Sequence, residues 1–251
     1  MLDGIKKKLS FLKYLDPFYY VDLYVMPRLN PKKIEWVSWV IYLVSALVFA
    51  WLIYTLLGLI LMTPSPMVIV VSGSMEPVMY RGDVIVMQGV SPENITAEYT
   101  ELLLPTLRET PMSAFASAEG VPPASLFFIN GERIPITEKG DVVVYNSTSF
   151  RNLGQPVIHR VVAKVRAEDG LYLITKGDNN NVTDQDCGGV IAGRPDHECI
   201  TLYPIPADEI SGRALFKIPF VGYVKLLIFD DLTALIFGCP KNSASVLCRQ
   251  G

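Results

Sequence analysis

Three short stretches of the chain hold side chains that could make and break an acyl bond. The first is VVSGSMEP, Val70 to Pro77, where Ser72 and Ser74 flank a glycine. The second is PVIHRVV, Pro156 to Val162, which carries His159 inside an alternating run. The third is KGDNNNVTDQD, Lys176 to Asp186, which offers Asp178, Asp184 and Asp186. A serine hydroxyl is a weak nucleophile until a base takes its proton, and a carboxylate beside that base fixes its tautomer. The choice of base is narrow: His159, His197 and a handful of lysines. His197 sits in a polar loop, GRPDHECI, next to Cys199. Each stretch also has a plainer reading. Ser-Gly-Ser could be a linker, His159 a packed strand residue, and the Asp/Asn loop a set of turns whose side chains bond their own backbone. That loop does not follow the spacing of an EF-hand calcium site. Two histidines leave little scope for a His-rich metal centre.

Those stretches need elements to hold them, and the most conspicuous lies just before the first. The run Trp36 to Met62 is almost wholly apolar, and no charge occurs between Glu35 and Glu76. At about 1.5 Å per residue it exceeds the roughly 30 Å hydrocarbon thickness of a bilayer. Trp36, Trp39 and Tyr42 suit the interface on its entry side. The run is too long for a signal peptide, and no Ala-x-Ala pattern closes it. Lys6, Lys7, Lys8, Lys13, Arg28, Lys32 and Lys33 precede it, which predicts a cytoplasmic N-terminus, residues 1–35, and an outer domain after Met62. Residues 11–29 mix lysines with aromatics, a composition that fits either a helix along the inner membrane surface or an ordinary tail. The formal net charge is −3, and no basic block is interleaved with aromatics, so nucleic-acid binding has no electrostatic support.

The outer domain, 63–251, reads as mainly β. Short apolar runs recur at Met67–Val71, Val84–Val86, in EKGDVVVYN, in PVIHRVVAKV and in GLYLITK, with further strands expected over ITLYPI and SGRALFKIPF. Residues 88–139 break the pattern as an insertion, with a short helix expected from Ser91 or Asn94. Residues 221–238 are apolar but carry Lys225, Asp230 and Asp231, which favours an interfacial helix or a core element over a second span. Cys187, Cys199, Cys239 and Cys248 all fall on the outer side, where disulfides persist, and short separations suggest Cys187–Cys199 with Cys239–Cys248. Sequons begin at Asn94, Asn146 and Asn181.

SGSMEP, RGD, GDVVVY, VIHRVV, TKGDNN and GRALFKIP occur in one order, and that order resembles a type I signal peptidase. The resemblance covers the membrane helix and nearly all of the outer domain except the insertion. It implies a coiled β-sheet catalytic domain anchored by one N-terminal transmembrane helix. Bacterial members pair the serine with a lysine where this chain has His159, so the chain is similar to the archaeal and endoplasmic-reticulum branch, which is taken to use Ser, His and Asp. Carried over by motif, Ser74 is the nucleophile, His159 the base and Asp184 its orienting acid, with Asp186 the competing candidate and Asp178 in support. The Ser72 hydroxyl and Ser74 N–H are the expected oxyanion donors.

The implied activity is a serine endopeptidase, without a cofactor, that cuts signal peptides from preproteins after small residues. The partners implied are those signal peptides, the lipid bilayer and the protein-export channel. The expected location is the cell membrane or an endoplasmic-reticulum-type membrane. An extended substrate would add beside Met67–Val71 or Asp141–Tyr145, in contact with Met75, Asp141, Val142, Val143, Val144 and Tyr145. At ~3.3–3.6 Å per residue the chain from Met62 can carry Ser74 no more than ~43 Å from the bilayer core. The competing reading is a non-catalytic, membrane-tethered β domain that binds secreted or surface proteins.

Overall fold

The computed structural model describes residues 13–14, 16–119, 126–129, 131–148, 154–186, 190–191, 194–195 and 199–232. It divides into two compact units, 1–60 and 61–251.

In the first unit Asp16 caps α1 (Pro17–Tyr20) by accepting the Phe18 N–H at 2.9 Å. Pro17 takes the first helical position, where its missing N–H is no loss. A wider turn, Val21–Val25, leads into α2 (Met26–Leu29). Asn30 then ends one helix and starts the next. Its Oδ1 accepts the Ile34 N–H, and its Nδ2 donates to Ile34 O and Ser38 Oγ. Helix α3 runs from Glu35 to Leu61, with a mean hydropathy of 2.4 over its most apolar window. Its apolar residues occupy every side rather than one stripe, so the helix is built for a medium that is apolar all round. By length and composition it can cross a membrane.

The second unit is a β domain. Its main sheet has the order β1 (Met67–Ile69), β2 (Val84–Gln88), β13 (Gly212–Ile218), β7 (Val142–Asn146), β8 (Pro156–Ala167), β9 (Gly170–Lys176), β12 (Ile205–Pro206). These neighbours are antiparallel, and β3 (Glu98–Glu101) joins β8 in parallel. Val142, Val143 and Val144 form an unbroken apolar run because both faces of β7 are covered. Val142 and Val144 enter one core cluster with Met75, Met79 and Ile85. Val143 and Tyr145 enter another with Ile95, Val161 and Leu173. A strand buried on both faces loses the simple alternation of a half-exposed one.

The segment 88–139 departs from the helix expected there. Pro92–Asn94 is one 3-10 turn, and the next residues pair as β3 with Ala163–Arg166 of β8. A partner strand thus overrides the weak local helical signal. The segment continues with β4 (Ala116–Glu119), β5 (Leu126–Ile129) and β6 (Glu132–Pro135), a three-stranded antiparallel meander. Its Leu102, Leu107, Met112, Ile129 and Ile134 are buried with Val162, Val165 and Ile174, so it covers one face of β8 and β9. Fully burying one such aliphatic side chain is worth about 1.5–3 kcal/mol.

Two other expectations are corrected. ITLYPI forms only the two-residue β12, and β1 ends at Ile69, with Val70 still donating its N–H to Asp83 O at 2.9 Å. Strands β10 (Val190–Ile191) and β11 (Arg194–Pro195) form a separate antiparallel pair. After β13 the chain turns through helix α4 (Tyr223–Lys225) and a wider turn, Leu226–Asp231. Cys199 is in a disulfide, while Cys187, Cys239, Cys248 and His197 lie outside the described residues.

Candidate active site

β1 carries the chain to Val70, and a tight turn over residues 72–78 then presents Ser74. Met75 is fully buried and anchors this turn in the core beside Val70, Met79 and Ile85. His159 projects from β8, held at 2% exposure, and its Nε2 lies 2.8 Å from Ser74 Oγ. Its Nδ1 lies 2.7 Å from Oδ2 of Asp184, itself 2% exposed. Ser74, His159 and Asp184 are therefore joined by one continuous line of hydrogen bonds. An ionised carboxylate only accepts, so Nδ1 carries the proton and Nε2 is free to accept from Ser74. Ser72 Oγ is 3.2 Å from Ser74 Oγ.

The acid is fixed by more than the histidine. Asp184 N donates to Thr175 O at 2.8 Å, and the Asp184 carbonyl accepts from Ile200 N and Thr201 N at 3.0 Å each. Oδ2 also accepts from Thr175 Oγ1 at 2.7 Å and from the Tyr145 hydroxyl at 2.6 Å. Burial pushes the Tyr145 phenol well up from its ordinary value, and the Asp184 charge pushes it further. Asp186 stands two residues on, with its N–H on Thr183 O.

Asp178 takes a different place. Arg160, the neighbour of His159 in β8, grips it through two bonds of 2.8 and 2.7 Å, and donates its remaining arm to Gly140 O at 2.8 Å. The carboxylate holds the guanidinium above its ordinary range. The next residue, Asn179, clamps the turn that carries Ser74: its N–H donates to Ser74 O at 2.8 Å and its Nδ2 to Gly73 O at 3.1 Å. Gly177 makes this approach feasible, since a Cβ there would sit 2.7 Å from Ser74 O. At Gly73 a Cβ would meet only the flexible Glu76 side chain. Lys176 is buried beside this turn and donates to Gly177 O at 3.2 Å. Burial pushes its ammonium down from the ordinary value, while Asp178 and Asp184 pull it partly back.

The expected substrate contacts are redistributed. The side chains of Met75, Val142, Val143 and Val144 are core residues and do not line a groove. Tyr145 turns to Asp184, and Asp141 accepts from Thr96 N at 2.9 Å and from Arg213 at 3.3 Å. β7 is not a free edge, because β8 flanks it throughout and β13 flanks it at Val143 and Val144. The sheet edge near Ser74 is β1. Sequence reasoning passed over Arg160, Thr175, Gly177 and Asn179. The only signal for them was adjacency, since each stands within a few residues of a candidate already named. Among the described residues, no group of three or more His, Cys, Asp or Glu is placed to hold a metal ion.

No protein-family model matches the chain. Individual relatives do. The signal peptidase complex catalytic subunit SEC11 of Verticillium alfalfae is 30% identical over 181 residues, covering 72% of this chain and 74% of the relative. That of Colletotrichum graminicola is 31% identical over 173 residues, covering 67% and 66%. That of Metarhizium robertsii is 30% identical over 168 residues, with the same coverage of 67% and 66%. The chain thus spans about two thirds to three quarters of the length of these relatives. A Ser-His-Asp line whose histidine and aspartate are buried and this degree of identity lead to one conclusion: the chain belongs to the signal peptidase catalytic-subunit family, the endoplasmic-reticulum-type branch of the type I signal peptidases.

Proposed function

We propose that this chain is a membrane-anchored serine endopeptidase that cleaves signal peptides from preproteins through an acyl-enzyme. The observation that carries the reading is the unbroken hydrogen-bonded line from Ser74 Oγ through His159 to Asp184. Ser74 attacks the scissile carbonyl while His159 Nε2 takes its proton, and Asp184 stabilises the imidazolium that forms. The tetrahedral oxyanion is met by the Ser72 hydroxyl and the Ser74 N–H, each such donor being worth ~2.7–4 kcal/mol. His159 then protonates the departing amine, and in a second round it draws a proton from water that hydrolyses the ester. Asp178 acts in support, by holding the turn whose Asn179 grips Ser74.

The substrate docks as an extended chain along β1, which is an edge of the main sheet among the described residues, and small residues precede the cut. The N-terminus is cytoplasmic and the β domain lies across an endoplasmic-reticulum-type membrane, in a complex working beside the export channel. Lysines ahead of α3 and their absence just after it support this orientation. A non-catalytic binding domain has no need of a serine held against a buried histidine, and nothing in the site favours it.

The test is incubation of the detergent-solubilised chain with a model preprotein, comparing wild type with Ser74→Ala. Loss of all cleavage above background, with an unchanged thermal transition, is the expected outcome. Undiminished processing by the variant removes Ser74 as the nucleophile.

A further inference from the structure

Three donors converge on a single carboxylate oxygen. Asp184 Oδ2 accepts from His159 Nδ1, from Thr175 Oγ1 and from the Tyr145 hydroxyl, whereas Oδ1 is buried and makes no hydrogen bond. The proton count decides how the group is wired. Gln185 Nε2 lies 3.3 Å from Thr175 Oγ1, and its Oε1 accepts from Thr175 N at 3.0 Å. Thr175 therefore accepts from Gln185 and spends its one proton on Asp184. Tyr145 also has one proton, and its 2.6 Å contact to Asp184 is shorter than its 3.2 Å contact to Thr175. Its hydroxyl thus donates to the acid.

We propose that Tyr145 is a positioning residue for the hydrolysis, one that holds and partly neutralises Asp184 through a phenolic hydrogen bond. The proposal rests on the reading of Ser74, His159 and Asp184 as the catalytic set. Donors on a buried carboxylate stabilise its charged form and share its charge, which weakens its pull on the adjacent imidazole. Tyr145 is 1% exposed, and its ring belongs to the core cluster with Val143, Val161 and Leu173, so the hydroxyl is aimed by packing. Because burial keeps the phenol protonated, the donor persists through the working pH range. Among the described residues, His159 bonds Asp184 directly and Lys176 feels its charge at longer range. Tyr145 was expected to touch substrate from β7. Its hydroxyl instead reaches the same Asp184 oxygen that His159 Nδ1 touches.

The experiment uses the full-length chain in detergent with a model preprotein. Tyr145→Phe keeps the ring and removes only the hydroxyl. It should lower kcat about tenfold with KM unchanged, as loss of a shared hydrogen bond to a charged group would. The acid limb of the kcat–pH profile should move to higher pH, because an acid with fewer donors holds the imidazolium more tightly. In an Asp184→Asn background Tyr145→Phe should add no further loss, since groups acting as a unit are not additive. A raised KM with unchanged kcat would return Tyr145 to the substrate groove. An equal loss in both backgrounds would reduce it to a packing residue. Should Tyr145→Phe not fold, Thr175→Val against Thr175→Ser applies the same test to the same oxygen: only the valine should shift the pH limb, and equal profiles overturn the wiring. Ser74→Ala runs alongside. If it still cleaves, the catalytic set itself is wrong; if it does not while Tyr145→Phe matches wild type, only the positioning role fails.

Discussion

Asp178 and Asp184 stand at the two ends of one loop, with side chains only 8% and 1% exposed, yet they are neutralised by different means. Asp178 meets a full positive charge, the guanidinium of Arg160, in a two-pronged contact. Asp184 meets two hydroxyls and a histidine ring and, among the described residues, no lysine or arginine within hydrogen-bonding distance. A carboxylate locked to arginine has its charge answered permanently. A carboxylate held by neutral donors keeps charge in reserve for an imidazole that becomes positive only during the reaction. The first arrangement suits a fastener and the second suits a catalytic acid.

The largest effect expected from this contrast is on turnover. Asp184→Asn should lower kcat by about 10⁴-fold, since an amide can present the wrong group to Nδ1 and invert the tautomer. The fold should survive, because Asn is isosteric and Thr175, Tyr145 and the backbone contacts remain. Steady-state cleavage with a parallel melting curve checks both parts. If Asp186→Asn loses more activity than Asp184→Asn, the acid belongs to the other carboxylate and the contrast collapses.

Asp178→Asn should fall instead on stability. It leaves the Arg160 guanidinium, 10% exposed, without its countercharge, and breaking a buried pair in this way costs about 3–5 kcal/mol. Activity should decline with the folded fraction, plus a smaller loss from loosening Asn179 on Ser74. Denaturant titration of the purified chain reads the first quantity, and kcat per folded molecule the second. A kcat loss as deep as that of Asp184→Asn at full stability would show that both ends of the loop take part in the chemistry.

How far this site could be read in the sequence follows from which residues lie in periodic segments. Val142–Val144 and the alternation around His159 announce strands, and a charge-free run of membrane length announces α3. The choice between Asp184 and Asp186 lies in an irregular loop, where neither period applies. Asp184 is brought against His159 by its N–H bond to Thr175 O, a contact with β9 that no spacing reveals. Arg160 and Gly177 were invisible for a related reason: their tasks arise only when β8 is laid beside the loop. Tyr145 was expected on β7, but its bond to Asp184 was not foreseen, because alternation says which residues share a face and not what fills the space opposite. The helix expected after Ser91 gave way to β3, where pairing with β8 outweighed local preference.

Lys176 offers the smallest and most discriminating test, because it feels both ends of the loop. Its ammonium is attracted by Asp178 and Asp184, but burial is the larger influence and holds its pKa below the ordinary 10.5. The sign then follows. Between the lowered folded value and 10.5, the unfolded chain binds more protons than the folded one, so this group makes stability rise with pH across that window. Below the window both states are charged, and the folded state carries the burial penalty in full. Replacing the side chain by methionine removes that penalty while roughly keeping its shape, so Lys176→Met should change stability at pH 7 by about 1 kcal/mol or less. Its advantage over wild type should shrink as pH rises toward 10, as measured by urea midpoints of the two proteins at matched pH. The opposite trend, with wild type losing ground as pH rises, would mean that attraction to the two aspartates exceeds burial. Lys176 would then be the cation that Asp184 lacks within hydrogen-bonding range, and the distinction between the two carboxylates would narrow to one of distance.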